Sequence, residues 1–137
     1  MSLPSDSLLP LFLKIEGAPT PVGPFSHAVR VGPWLFVTGQ MPTDPTDDAA
    51  PLPEGIEAQT RRVMDNLILV LEGAGFSLAD VVQTRIYLTA FERDFAPMNA
   101  VYRSYFPPDR LPARTCIGVT GLACGAIVEI DFVAWKG

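Results

Sequence analysis

The sequence has few of the side chains from which most metal centres and catalytic triads are built. One histidine, His27, and two cysteines, Cys116 and Cys124, occur among 137 residues. The cysteines lie eight positions apart, without a CxxC motif or a Cys/His cluster. A structural zinc site is excluded because it needs four ligands, whereas the chain has only three cysteine and histidine side chains in total. Any Ser-His-Asp or Cys-His arrangement would have to use His27, so a conventional triad is poorly supported.

Charge is also scarce. Charged residues make up 18% of the chain, and 10 basic against 15 acidic side chains give a net charge of −5. Nucleic-acid binding through phosphate neutralisation needs a basic face, so this balance argues against it. So low a charged fraction also hints that part of the surface is buried between subunits.

No apolar run near the start is long enough to cross a membrane. The longest, Leu8–Leu13, contains Pro10, and no basic residue precedes it. It therefore matches neither a membrane span nor a signal peptide, and we expect a cytoplasmic protein with no membrane partner.

The length and composition favour one folded domain. A chain of 137 residues is close to the commonest domain size. Its hydrophobic fraction of 48% and mean hydropathy of +0.25 exclude an intrinsically disordered chain. Residues 1–17 are predicted to form a flexible or extended N-terminal lead, and residues 18–137 a single domain.

Hydrophobic periodicity predicts an α+β domain with the element order β-β-α-β-α-β-β. Strands are expected over residues 29–31, 34–38, 81–88, 114–120 and 127–135, and helices over residues 55–75 and 91–106. Pro97 suits the first turn of a helix, so the second helix is expected to begin near Phe95. Two helices cover only one face of a mixed sheet, and the open face predicts association of subunits.

Several polar side chains in or beside the late strands could carry chemistry. Glu129 and Asp131 point to the same face of the last strand, where they either form a solvated face or line a site. Arg114 opens the preceding strand, either as a surface charge or as a planar fork for a carboxylate. Cys116 is most simply a small apolar side chain of the core, and Asn99 an exposed or capping amide. None of these spacings alone identifies a reaction.

The order of six short segments is more informative than any one residue. The most specific are Pro-Ala-Arg-Thr-Cys at residues 112–116 and Val-Glu-Ile at residues 128–130. The others lie at residues 21–29, 37–42, 59–67 and 94–102. Together they closely resemble the YjgF/RidA family of enamine/imine deaminases over roughly residues 18 to 135.

This resemblance implies a chorismate-mutase-like fold and a homotrimer whose sheets pack into a central barrel, which would cover the open sheet face. It also implies three clefts between neighbouring subunits, each binding a small 2-imino or 2-keto acid. Family members use no metal or organic cofactor. The implied reaction is hydrolytic deamination of reactive 2-imino or enamino acids to 2-keto acids and ammonia.

The resemblance also assigns roles to individual residues. Arg114 would bind the substrate carboxylate, and Glu129 would orient and partly deprotonate the attacking water. The backbone around Cys116 would hydrogen-bond the ligand. Thr38 matches a family serine, and Asn99 matches a family asparagine near the ligand.

The chain departs from the family pattern at Phe25, where the family often has a tyrosine. A phenylalanine can form a pocket wall but cannot donate a hydrogen bond. The stretch 45–53 is longer than usual, and the turn at 121–124 differs. Two other functions stay open: a non-catalytic trimeric protein that binds keto acids or acts like a chaperone, and a structural subunit. In the structural subunit an internal ion pair would engage Arg114.

Overall fold

The computed structural model describes residues 9–137, which form one six-stranded sheet and two helices. The strands are β1 (Leu11–Leu13), β2 (Ala28–Val31), β3 (Trp34–Gln40), β4 (Val81–Leu88), β5 (Ala113–Gly118) and β6 (Val128–Trp135). The helices are α1 (Ile56–Gly73) and α2 (Phe91–Arg103). The strands lie in the order β1-β2-β3-β6-β4-β5, where β4 and β5 are parallel and the other neighbours antiparallel. The predicted α+β class with a mixed sheet is confirmed.

Strand β1 was not expected from the sequence. It falls within the segment predicted as an N-terminal lead, of which residues 1–8 lie outside the described residues. Leu11 and Leu13 are half-buried, and the strand pairs with β2 through Leu11–Arg30 and Leu13–Ala28. Three residues after a proline are too short to show an alternating pattern, so backbone pairing with β2 defines this strand.

The core lies between the helices and one face of the sheet. In β3, Leu35 and Val37 are buried, whereas Trp34 and Phe36 are exposed on the other face. Alternation of this kind is typical of a sheet that is covered on one side. The helices contribute a stripe of apolar side chains at three- and four-residue spacing. In α1 the stripe consists of Ile56, Val63, Met64, Leu67, Val70 and Leu71.

The start of α2 corrects the sequence-based expectation. The helix begins at Phe91 rather than near Phe95, so Pro97 lies in its interior. The amide of Asp94 donates to the carbonyl of Ala90 at 3.0 Å, which closes the first turn before the proline is reached. Pro97 has no amide hydrogen to donate within the helix, and Met98, Val101 and Tyr102 beyond it are buried in the core.

The sheet face opposite the helices carries apolar side chains in register across four strands. Phe12 pairs with Val29, Val29 with Phe36, and Phe36 with Val133, which places these four side chains in one row. Phe12 is 71% exposed and Phe36 48% exposed in the single chain. The association of subunits through this face stays a prediction.

Candidate functional site

Arg114 projects from the edge strand β5 toward helix α2. It is the register partner of Thr84, which is buried beneath the helix layer, so both side chains lie on the helix-covered face. The Nη1 atom of Arg114 donates to the Oδ1 atom of Asn99 at 2.7 Å. Its guanidinium carbon lies 5.1 Å from the ring centre of Tyr102 and 5.7 Å from that of Phe95. One hydrogen bond and two aromatic rings therefore orient the guanidinium.

The Arg114 guanidinium still has donors for a ligand. Within residues 9–137, no carboxylate lies within 4.0 Å of it, so the described part of the chain lacks the internal ion pair expected of a purely structural subunit. A cavity of about 310 Å³ adjoins it, lined by Asn99, Tyr102, Arg103, Leu111, Pro112 and Arg114. A planar group with several unused N–H donors beside a cavity of this size suits a small carboxylate.

Cys116 lies two residues after Arg114 on the same face of β5 and is half-buried. Burial raises the pKa of its thiol, against the opposing effect of the nearby Arg114 charge. The thiol is therefore protonated at neutral pH and is a poor nucleophile. A role for the Cys116 side chain in covalent catalysis has no support from this environment.

Glu129 projects from β6 on the opposite, helix-free face. It pairs with Tyr87 of β4, and its carboxylate packs against the backbone of Gly39, where any side chain would overlap it. Burial, and then the negative charge of Asp131, raise the pKa of Glu129 above its usual range. A carboxylate with a raised proton affinity is suited to accept a proton from water.

Gly39 tests how closely the position of the Glu129 carboxylate is controlled. In Gly39→Ala the new methyl group would displace only the tip of a flexible side chain, so we expect the free energy of unfolding to change little. A misplacement of about 1 Å can reduce a rate about a hundredfold. We therefore expect kcat for the imine hydrolysis that the family resemblance implies to fall by about tenfold or more. Gly121→Ala is the control, since an added methyl group there meets open space. Equal kcat values for both variants would contradict this role.

Thr38 and Phe25 lie beside Gly39. The Thr38 hydroxyl donates to the carbonyl of Ser26 at 2.6 Å, which leaves its oxygen free to accept a hydrogen bond. Phe25 is half-buried and shares a small crevice with Gly39. The "Glu129 group" thus consists of Phe25, Thr38, Gly39 and Glu129.

The predicted site residues fall into two groups that the single chain does not bring together. Asn99, Arg114 and Cys116, the "Arg114 group", lie on the helix-covered face, and Glu129 lies on the open face. Strand β4 also separates β5 from β6, a lateral distance of about 10 Å. Within the described residues, Glu129 therefore does not line the cavity beside Arg114.

His27 has a structural role. It is 4% exposed, its Nδ1 accepts from the amide of Ile15 at 2.7 Å, and its Nε2 lies 2.7 Å from the carbonyl of Pro19. Because Nδ1 accepts a hydrogen bond, the ring hydrogen is assigned to Nε2, which donates to the Pro19 carbonyl. Because both ring nitrogens are engaged with the backbone, His27 is not positioned as a catalytic base.

The described residues contain neither a metal-ligand cluster nor a membrane-spanning helix. Over residues 9–137, no group of three or more His, Cys, Asp or Glu side chains is arranged to hold a metal ion. Neither described helix is long and apolar enough to span a bilayer.

The fold and the Arg114 group define a class of protein: a small α+β domain with an arginine beside a cavity on the edge strand of its sheet. The model of one family, described as Endoribonuclease L-PSP, matches residues 15–136. The chain belongs to this family, also known as YjgF/RidA, as its sequence segments predicted.

Relatives with known names extend this comparison. A RutC family protein of Pyrococcus horikoshii is 42% identical over 121 residues, covering 88% of this chain and 94% of the relative. The 2-iminobutanoate/2-iminopropanoate deaminase of Escherichia coli is 32% identical over 124 residues, covering 89% and 94%. The more similar relative carries only a family designation.

Solved structures show the same fold. RidA from the Antarctic bacterium Psychrobacter sp. is 36% identical with a TM-score of 0.83, covering 90% of this chain and 99% of that one. Escherichia coli TdcF with bound serine is 28% identical with a TM-score of 0.82, covering 91% and 99%.

Proposed function

We propose that the protein hydrolyses short reactive 2-imino acids to 2-keto acids and ammonia, in clefts between the subunits of a homotrimer. The observation that carries the proposal is the Arg114 guanidinium, oriented by Asn99 and Tyr102 beside an open cavity. The names of the imine deaminases at 32–33% identity support the reaction class. The serine bound to TdcF supports a ligand that carries a carboxylate.

In the proposed reaction Arg114 holds the substrate carboxylate through two parallel hydrogen bonds. Each charge-assisted bond contributes about 1.5–3 kcal/mol. The Asn99 bond and the aromatic contacts limit rotation of the guanidinium, so less order has to be created when the ligand binds. Fixing the carboxylate also fixes the adjacent imine carbon, which is the atom that water attacks.

Glu129 of a neighbouring chain supplies the base. As the water oxygen bonds to the imine carbon, one water proton passes to Glu129 and the imine nitrogen takes a proton from solvent water, which gives a carbinolamine. Glu129 then gives its proton to the amino group, the carbon–nitrogen bond breaks and ammonia leaves, while the hydroxyl group loses its proton to solvent water and becomes the keto oxygen. Because Glu129 returns its proton during this second step, the enzyme ends unchanged.

The separation of the two groups supports an association of subunits, and the homotrimer is the assembly that the family resemblance implies. Arg114 lies on an edge strand, where a neighbouring chain can approach, and the helix-free face carries the apolar row that contains Phe12 and Phe36. Burial of that row between subunits would remove exposed apolar surface from water. The same association would bring the Glu129 group of one chain toward the Arg114 group of the next.

The proposal is tested by generating 2-iminopropanoate or 2-iminobutanoate in situ and measuring release of pyruvate or 2-oxobutanoate. We expect the protein to accelerate release above the rate in buffer while the imine persists. No acceleration under those conditions would contradict the proposed activity.

A non-catalytic function is the second candidate. Within one chain the cavity beside Arg114 has no carboxylate among its lining residues, and the Phe25 ring offers no hydrogen-bond donor in the crevice that it shares with Gly39. A protein that only binds keto acids would need no more than this. Binding of 2-oxobutanoate, measured by calorimetry, without imine turnover would favour this alternative.

A further inference from the structure

A cluster of three polar side chains lies next to Glu129 on the helix-free face. The Asp131 carboxylate accepts a hydrogen bond from Arg85 Nε at 2.9 Å and another from the Tyr87 hydroxyl at 2.9 Å. Asp131 is only 8% exposed. Arg85 and Tyr87 are the register partners of Asp131 and Glu129, respectively, so all four side chains occupy adjacent positions on two strands.

We propose that Asp131, held by Arg85 and Tyr87, is a positioning residue that controls whether Glu129 carries a proton. This inference rests on the proposed function, in which Glu129 accepts a proton from water. Asp131 lies two residues from Glu129 on one strand, and its side chain points to the same face. Its two hydrogen bonds hold the negative charge at a fixed place beside the reactive carboxylate.

The charges of Asp131 and Arg85 determine whether each residue raises or lowers the pKa of Glu129. The negative charge of Asp131 disfavours ionisation of Glu129, and it does so across a half-buried surface where screening is weak. The Arg85 guanidinium neutralises part of that charge through its ion pair with Asp131. Removing Asp131 should therefore make Glu129 more acidic, whereas removing Arg85 should make it less acidic.

The remaining neighbours of Glu129 contribute little charge within the single chain. On β4 the titratable or charged side chains facing it are Tyr87 and Arg85, and β3 contributes the Gly39 backbone and the uncharged Thr38. Lys14 lies on the side of the Phe25 loop, where its ammonium donates to the Phe25 carbonyl at 2.7 Å. In the proposed cleft, Arg114 of a neighbouring chain and the bound carboxylate would also face Glu129.

The test is a carbon-13 NMR titration of the Glu129 carboxyl group in the full-length protein. Its resonance is assigned by its loss in Glu129→Gln. We expect the titration midpoint to move to lower pH in Asp131→Asn and to higher pH in Arg85→Gln. Asp109→Asn removes one negative charge near the start of β4, about 20 Å from Tyr87, and should leave the midpoint unchanged.

An unchanged midpoint in both variants, or a shift in the same direction in both, would overturn the inference. Arg85 is exposed, so Arg85→Gln keeps the test valid if Asp131→Asn fails to fold. The acid limb of kcat/KM for imine hydrolysis should move with the midpoint, which a merely structural ion pair would not cause. Midpoint shifts as expected without imine hydrolysis at any pH would support this control of Glu129 and contradict only the proposed function.

Discussion

Arg114→Ala is expected to lower kcat/KM for 2-imino acids by about a hundredfold or more. Two charge-assisted hydrogen bonds, at the lower value of about 1.5 kcal/mol each, correspond to about a hundredfold in rate. Because the carboxylate is bound in both the ground state and the transition state, much of the loss should appear in KM. The measurement is steady-state hydrolysis of imines generated in situ, together with calorimetric binding of 2-oxobutanoate.

Two control variants distinguish the effect of the paired N–H donors of Arg114 from the effect of its positive charge. Arg114→Lys keeps one positive charge but loses the planar pair of donors, so it should recover only part of the binding. Arg110→Ala removes an exposed arginine that donates to the Ala79 carbonyl and lies outside the Arg114 cavity, and it should leave kcat/KM unchanged. Wild-type binding of 2-oxobutanoate by Arg114→Ala would contradict the proposed carboxylate site.

Glu129→Gln is expected to reduce kcat by about 10²–10⁴-fold, the usual contribution of a general base. The substitution keeps the shape of the side chain, so binding of 2-oxobutanoate should persist. In the wild type, the raised pKa of Glu129 predicts that activity falls as the pH drops through that value, since the carboxyl group then holds its proton. This acid limb of the rate profile should disappear in Glu129→Gln.

Glu57→Gln provides the matched control for this variant, since Glu57 is exposed in the first turn of α1. It should show wild-type kcat and a wild-type pH profile. Full activity of Glu129→Gln with an unchanged acid limb would show that another group accepts the proton.

Most of the architecture could be predicted from the sequence because its longer elements have clear periods. The alternation in β4 and the apolar stripe of α1 both define their elements. Short or interrupted elements were harder to predict from the sequence. Strand β1 has only three residues, and Pro97 suggested that α2 begins later than it does. In both cases the deciding interactions are backbone hydrogen bonds, to β2 and within the first turn of the helix.

The identity of the candidate residues was accessible from the sequence, but their placement on two faces was not. Arg114 pairs with Thr84 and Glu129 with Tyr87, and these partners lie three residues apart on β4. An odd separation along one strand places side chains on opposite faces, so the side chains of Arg114 and Glu129 point to opposite faces of the sheet. That conclusion requires the register between strands, which no local pattern specifies.

Two contacts around the candidate residues were also missed. Tyr102 is one of the buried residues of α2, and its ring also faces the Arg114 guanidinium. Gly39 carries no chemical signal, and its role becomes visible only where Glu129 packs against it. Both are tertiary contacts between segments that are distant in the sequence.

Mixed assemblies provide the most direct test that two chains form each site. Arg114→Ala and Glu129→Gln, each inactive alone, are unfolded together in equal amounts, refolded and assayed for imine hydrolysis. If each site takes Arg114 from one chain and Glu129 from another, random mixing restores both residues in about one quarter of the sites, and about one quarter of wild-type activity should return. No recovery from correctly reassembled mixtures would contradict a site shared between chains.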